Sequence, residues 1–129
     1  MTENYISHQI IGAAIEVHRE LGGPGLLEGI YEEALAFELK ASGLEVQRQV
    51  LVPVVYKGVA IKKPLCIDLL IENRVVIEIK AVEILHAIYA SQLLTYLRLG
   101  RYKLGLLVNF GDTYLKNGIH RVVNHCPEN

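Results

Sequence analysis

The stretch Leu65-Cys66-Ile67-Asp68-Leu69-Leu70-Ile71-Glu72-Asn73-Arg74-Val75-Val76-Ile77-Glu78-Ile79-Lys80 decides the fold. Two short runs dense in Ile, Leu and Val flank Glu72-Asn73, a turn signal, and so read as two strands joined tightly. Ile67, Leu69 and Ile71 lie on one face, and Val75, Ile77 and Ile79 match them, while the other face is also largely apolar. A sheet that is apolar on both faces needs helices on both sides, or a helix layer and a partner subunit. The exceptions are Asp68, on the face of Cys66 and Leu70, and Glu78, on the face of Val76 and Lys80. Burying such charges costs several kcal/mol unless they are paired or hold a metal. A three-residue loop, Glu72-Asn73-Arg74, pairs Ile71 with Val75 and sets Asp68 opposite Glu78, with Cβ atoms roughly 4.5–5.5 Å apart. A two-residue loop would make them diagonal.

Working outward, the period before this stretch is helical. Ile10, Ile11, Ala14, Ile15, Val17 and Leu21 predict a helix over about Ser7 to Leu21, with Ser7 as N-cap, stopped by Gly22-Gly23-Pro24-Gly25. A second helix is predicted over about Leu27 to Ser42, with Gly43 as its C-terminal cap. Strands follow at Gln47 to Tyr56, Val59 to Ile71 (with Pro64 marking an edge or bulge) and Arg74 to Lys80, as an antiparallel meander. A third helix is predicted from Leu85 to Leu99, then an apolar strand from Lys103 to Phe110 and a short one from Gly118 to Asn124. The order is α-α-β-β-β-α-β-β. The expectation is one domain over residues 1–129, frayed at about 1–6 and 125–129.

Composition narrows the function classes. The chain has 129 residues, 51% hydrophobic and 21% charged, which excludes a disordered chain. Thirteen Lys and Arg against 14 Asp and Glu give a net charge of -1, which excludes a globally basic nucleic-acid binder but not a local basic patch. No apolar run reaches the roughly 20 residues of a membrane-spanning helix. Met1-Thr2-Glu3-Asn4-Tyr5 lacks the basic start of a secretory signal, and two cysteines, Cys66 and Cys126, make no disulfide framework, so a reducing cytoplasm is expected. Seven of the nine aromatics are Tyr, the aromatic with a polar handle.

The chemistry follows from the charged exceptions. Two opposed carboxylates repel, and a shared divalent cation resolves the conflict. Lys80 lies two residues past Glu78 on the same face, about 6–7 Å along the strand. Two carboxylates and a lysine around a hard cation suit phosphodiester hydrolysis: the ion generates hydroxide and the lysine positions water or stabilises charge building on phosphorus. All-oxygen ligation, including the Ile79 backbone carbonyl, favours Mg²⁺ or Mn²⁺ over Zn²⁺. On the second helix Glu28 and Tyr31 share a face, with Glu32 beside them; on the third, Gln92 and Tyr96 stand at i, i+4, with Tyr89 in the same stripe and His86 at its start. Glu-x-Lys alone, or an acidic residue in a first helical turn, is more often a plain ion pair or a dipole effect. Cys66 reads as a small buried hydrophobe.

Taken together, Asp68, Glu78-x-Lys80, a helical Glu28 and Gln92-x-x-x-Tyr96 resemble the PD-(D/E)XK nuclease superfamily, the Gln-x-x-x-Tyr element its RecB-type branch. Gly25-x-x-Glu28-x-x-Tyr31 resembles the GxxExxY family, with support from His8-Gln9-Ile10-Ile11-Gly12, Val17-His18-Arg19-Glu20-Leu21-Gly22, Tyr31-Glu32-Glu33-Ala34-Leu35 and Asn109-Phe110-Gly111. The likeness runs from about Glu3 to Val123. It implies an α/β (α+β) restriction-endonuclease-like core with a central mixed sheet of about four to five strands flanked by helices. It also implies a Mg²⁺- or Mn²⁺-dependent site in which Asp68, Glu78 and Glu28 face the metal, Lys80 is catalytic, and Gln92, Tyr96, Tyr31 and His86 shape the site or bind substrate. Three departures stand out: Ile67 precedes Asp68 where proline is expected, Gly22-Gly23-Pro24-Gly25 is one glycine longer than expected, and Gly29 follows Glu28 where serine is expected.

The implied partner is DNA or RNA, meeting scattered basic residues such as Lys57, Lys62, Lys63, Arg98, Arg101 and Lys103. The competing reading is a catalytically silent module of the same fold that binds nucleic acid or protein as a homodimer. The high apolar fraction and neutral charge suit it, and the intact set Glu28, Asp68, Glu78 and Lys80 argues against it.

Overall fold

A computed structural model describes residues 1–125. The elements run α1 (Glu3–Glu20), α2 (Glu28–Ala41), β1 (Val46–Val52), β2 (Val55–Tyr56), β3 (Val59–Ala60), β4 (Leu65–Ile71), β5 (Val75–Lys80), α3 (Ile88–Gly100), β6 (Leu104–Asn109), a 3₁₀ turn (Leu115–Gly118) and β7 (Ile119–Val123). Five strands form one mixed sheet in the order β1-β4-β5-β6-β7. β1, β4 and β5 are the antiparallel meander expected from the sequence. β6 is parallel to β5, because α3 carries the chain back across the sheet, and β7 closes the far edge antiparallel to β6.

Apolar strands with helices on both faces follow from the two-sided hydrophobicity of β4, β5 and β6. Leu69, Ile71, Val75, Ile77, Ile79, Leu104, Leu106 and Val108 pack with Ile6, Ile10, Ala14, Tyr31, Leu35 and Leu39 of α1 and α2. On the other face Leu70, Val76 and Leu107 pack with Leu93 and Leu97 of α3. The turn is the three-residue one: Glu72 and Asn73 take positive φ (54° and 53°), the Arg74 N–H donates to the Ile71 carbonyl at 2.9 Å, and Ile71 pairs with Val75. Among the described residues no helix is long and apolar enough to cross a membrane.

The structure corrects several boundaries. α1 begins at Glu3, not Ser7, because Thr2 caps it by accepting from the Tyr5 N–H. Ser7 is buried inside the helix and Ile6 is fully buried. The strand expected from Gln47 to Tyr56 ends at Val52, where Pro53 supplies no N–H. The strand expected from Val59 to Ile71 is interrupted between Ala60 and Leu65, so β2 and β3 pair as a separate two-stranded ribbon. α3 starts at Ile88 rather than Leu85, and it ends at Gly100 with Arg101 in the left-handed C-cap position (φ 62°). The expected tail lies outside the described residues from Cys126 on.

Candidate active site

The regular β4–β5 ladder runs as far as Leu69 and Ile77. One step further, Asp68 and Glu78 stand opposite each other, and their side chains replace the ladder. The Asp68 N–H donates to Glu78 Oε1 at 3.2 Å, and the Ile79 N–H donates to Asp68 Oδ2 at 2.8 Å. Each carboxylate is thus fixed by a backbone donor of the other strand. The other neighbour of Asp68 is irregular too. β1 pairs with β4 at Arg48↔Leu69 and Val50↔Ile67, while Gln49 between them sits at φ 53°, a conformation costing a non-glycine residue about 1–2 kcal/mol.

Leu69, Ile77 and Ile79 pack in the α1–α2 core, whereas Ile67, expected on the face of Leu69, packs with Leu93 and Leu97, so alternation breaks at Asp68; contacts with Tyr89 and Tyr96 set the charged groups toward α3. The Lys80 ammonium lies 4.4 Å from the centroid of the Tyr89 ring, which anchors it through a cation–π contact. Half-buried Tyr96, on the next turns of α3, feels the same charges: burial first, then Glu78 and Asp68, push its phenol above the usual range. The Glu78 carboxyl is pushed up to about 8, chiefly by burial, then by Asp68; a backbone hydrogen bond from Asp68 and the charge of Lys80 oppose the shift, and Glu32 adds to it. A buried carboxyl beside a second carboxylate is held toward its neutral form, and such perturbed groups cluster at functional sites. The donors are all oxygen, which fits a hard divalent cation.

The structure does not bring every expected residue here. Glu28 is exposed at the start of α2. Among the described residues no three His, Cys, Asp or Glu side chains converge closely enough to hold an ion, so Glu28 does not join the pair. The helical carboxylate whose charge reaches Glu78 is Glu32, one turn later, held by Arg48 (3.1 Å) and by Gln49 Nε2 (2.8 Å). Tyr31 lies in the opposite core, stacked on Phe110 (centroids 4.5 Å apart, planes at 10°), with its hydroxyl donating to the Gly23 carbonyl and accepting from the Leu26 N–H. It fastens the glycine turn and does not border the carboxylates. His86 is exposed in the loop before α3, not the first residue of a helical stripe. Gln92 is exposed on α3, one turn before Tyr96. Ile79 buries its side chain in the far core and offers the site backbone atoms alone. Cys66 is exposed rather than buried, and its thiol donates to Gln49 Oε1 at 3.1 Å.

Two roles escaped the sequence reading. Gln49 bridges Glu32 and Cys66 beside Asp68, and nothing in a strand pattern marks it. Asn109, fully buried, stitches down the segment after Lys80: its Oδ1 accepts from the Val82 and Gly111 N–H groups (3.0 and 3.1 Å), and its Nδ2 donates to the Val82 carbonyl (2.9 Å). Gly111 is required there, since a Cβ would fall 2.2 Å from the Val82 carbonyl oxygen. Asn109→Ala leaves three backbone groups without partners and is expected to cost about 3 kcal/mol, read as a lower midpoint in urea unfolding. An unchanged midpoint would contradict the clamp.

A family model of the PD-(D/E)XK nuclease superfamily matches residues 4–122, and the chain belongs to that superfamily. No curated protein and no solved structure matches it.

Proposed function

We propose that the chain is a divalent-metal-dependent nuclease of the GxxExxY type, hydrolysing DNA or RNA at the Asp68–Glu78–Lys80 site. The observation that carries this is the opposed carboxylate pair, each locked by the other strand's N–H, with the Glu78 carboxyl pushed up to about 8 by burial and then by Asp68. Superfamily membership supports it, because nucleases of this superfamily generally use divalent ions on nucleic acid.

Asp68 and Glu78, with the Ile79 carbonyl as a third oxygen, would hold Mg²⁺ or Mn²⁺. The ion would supply a water of lowered pKa and screen the phosphate. Lys80, steadied by Tyr89, orients the attacking water or donates to the phosphate oxygen that gains charge. Tyr96 and Gln92 of α3 border the approach, and Glu32 tunes the charge of the pair without ligating.

The test is cleavage of labelled DNA and RNA with Mg²⁺ or Mn²⁺, blocked by EDTA. Lys80→Ala is expected to slow single-turnover cleavage by about 10²–10³-fold while the Mg²⁺-induced rise in melting temperature persists. Absence of cleavage with either ion on every substrate would overturn the proposal.

A further inference from the structure

The net charge of -1 leaves open where a polyanion would bind. The charges are not spread evenly. From Val46 to Ile67 the chain carries four cations, Arg48, Lys57, Lys62 and Lys63, and no carboxylate, the flanking acids being Glu45 and Asp68. Three of those cations lie on or beside the β2–β3 ribbon. The ribbon turns through Lys57 and Gly58, both at positive φ (49° and 79°), the two-residue geometry that matches strand twist. Every residue from Val55 to Lys63 is exposed, including Tyr56 at 61%, Val55 at 62% and Val59 at 64%. A two-stranded ribbon is marginal in water on its own, and this one presents apolar and aromatic side chains on both faces.

Its place matters as much as its composition. β1 and β4 pair at Val52↔Leu65, so the ribbon springs from the sheet three residues before Asp68, about 10 Å along β4. Because β4 runs antiparallel to β5, this is also the end of the sheet where Lys80 lies. The Lys57 ammonium sits 5.5 Å from the Tyr56 ring centroid, so an aromatic platform and a cation are presented together.

We propose that the β2–β3 ribbon is a substrate arm for single-stranded nucleic acid, with Lys57, Lys62 and Lys63 tracking the phosphates and Tyr56 stacking an unpaired base on the approach to the Asp68–Glu78 site. This rests on the nuclease reading for its purpose but not for its test. Flexible single strands suit it because every base offers a π-face once unpaired, whereas a duplex keeps those faces stacked. Complementarity of charge selects the occupant: the arm carries three positive charges and no negative one.

The experiment measures fluorescence anisotropy of a short labelled single-stranded oligonucleotide, DNA or RNA, against the whole chain in EDTA, so that cleavage plays no part. The triple substitution Lys57→Gln, Lys62→Gln, Lys63→Gln is expected to weaken binding and to flatten the log affinity–log salt slope by about 2, since each phosphate contact on a single strand contributes about 0.7. Tyr56→Ala is expected to weaken binding roughly tenfold at every salt concentration, and Tyr56→Phe to restore it. Affinity and slope unchanged in both variants would overturn the arm. So would a blunt duplex bound as tightly as the single strand, or arm variants that change only the oligomeric state. Failure of the nuclease reading looks different: no metal-dependent cleavage, with the binding differences intact.

Discussion

Asp68→Asn is expected to lower metal-dependent cleavage of nucleic acid about a thousandfold and to abolish the Mg²⁺-induced rise in melting temperature, while the metal-free protein stays folded. The fold survives because the Asn carbonyl oxygen can still accept from the Ile79 N–H, the one hydrogen bond that Asp68 Oδ2 makes across the strands. What is lost is one of two negative charges facing a divalent ion, and removing several kcal/mol of interaction with charge in the transition state corresponds to about three decades in rate. Binding and rate must fall together. Lys80→Ala, by contrast, touches the rate and spares the binding, since Lys80 contributes no ligand. An Asp68→Asn protein that still gained stability from Mg²⁺ would place the ion elsewhere. One that still cleaved would sink the site.

The strand pair was readable in the sequence because its turn admits few geometries. Once Glu72-Asn73-Arg74 forms the three-residue turn that sets Ile71 against Val75, alternation carries Asp68 to Glu78; the two-residue alternative, which the sequence left open, would have made them diagonal. Helical side chains are less determined. A stripe at 3.6 spacing says that α2 buries a face, not which layer of the sheet it covers, so Tyr31 passed for a site residue when it stacks on Phe110 on the other side. The same ambiguity separates Glu28 from Glu32. The two differ by one turn, and only the docking of α2 against β1, through Arg48 and Gln49, settles which carboxylate reaches the pair. The separation of the β2–β3 ribbon from the main sheet was hidden for another reason: valines continue through Pro53, and a run of apolar residues does not reveal where its hydrogen-bond partner changes. Asn109 was visible as a motif, but its role depends on Val82, 27 residues away, which no local pattern reaches.

Glu78→Gln is expected to make the metal-free protein more stable than wild type at alkaline pH while destroying its response to Mg²⁺. In the folded protein burial, and then Asp68, raise the Glu78 carboxyl from 4.5 to about 8; Lys80 on β5 opposes the shift, and Glu32 on α2 reinforces it. Tyr96 on α3 and Cys66 on β4 face the same pair and are themselves pushed up, first by burial and then by its charge. Between these two values the folded chain holds a proton that the unfolded chain has released. The stabilisation is therefore complete below about 4.5 and lost as pH rises through about 8, each tenfold change in proton affinity being worth about 1.4 kcal/mol. Gln keeps the shape and cannot ionise, so its contribution does not vary with pH. Urea midpoints in EDTA, taken from about pH 5 to about pH 9, should decline more steeply for wild type than for Glu78→Gln and cross between them. Adding Mg²⁺ should reverse the order, because an ion at a hundred times its Kd stabilises the folded state by about 2.7 kcal/mol where both carboxylates remain. Parallel pH profiles would mean that Glu78 is charged at neutral pH without a metal. The repulsion between Asp68 and Glu78 would then have to be relieved by the Asp68 N–H and Lys80, without a divalent ion.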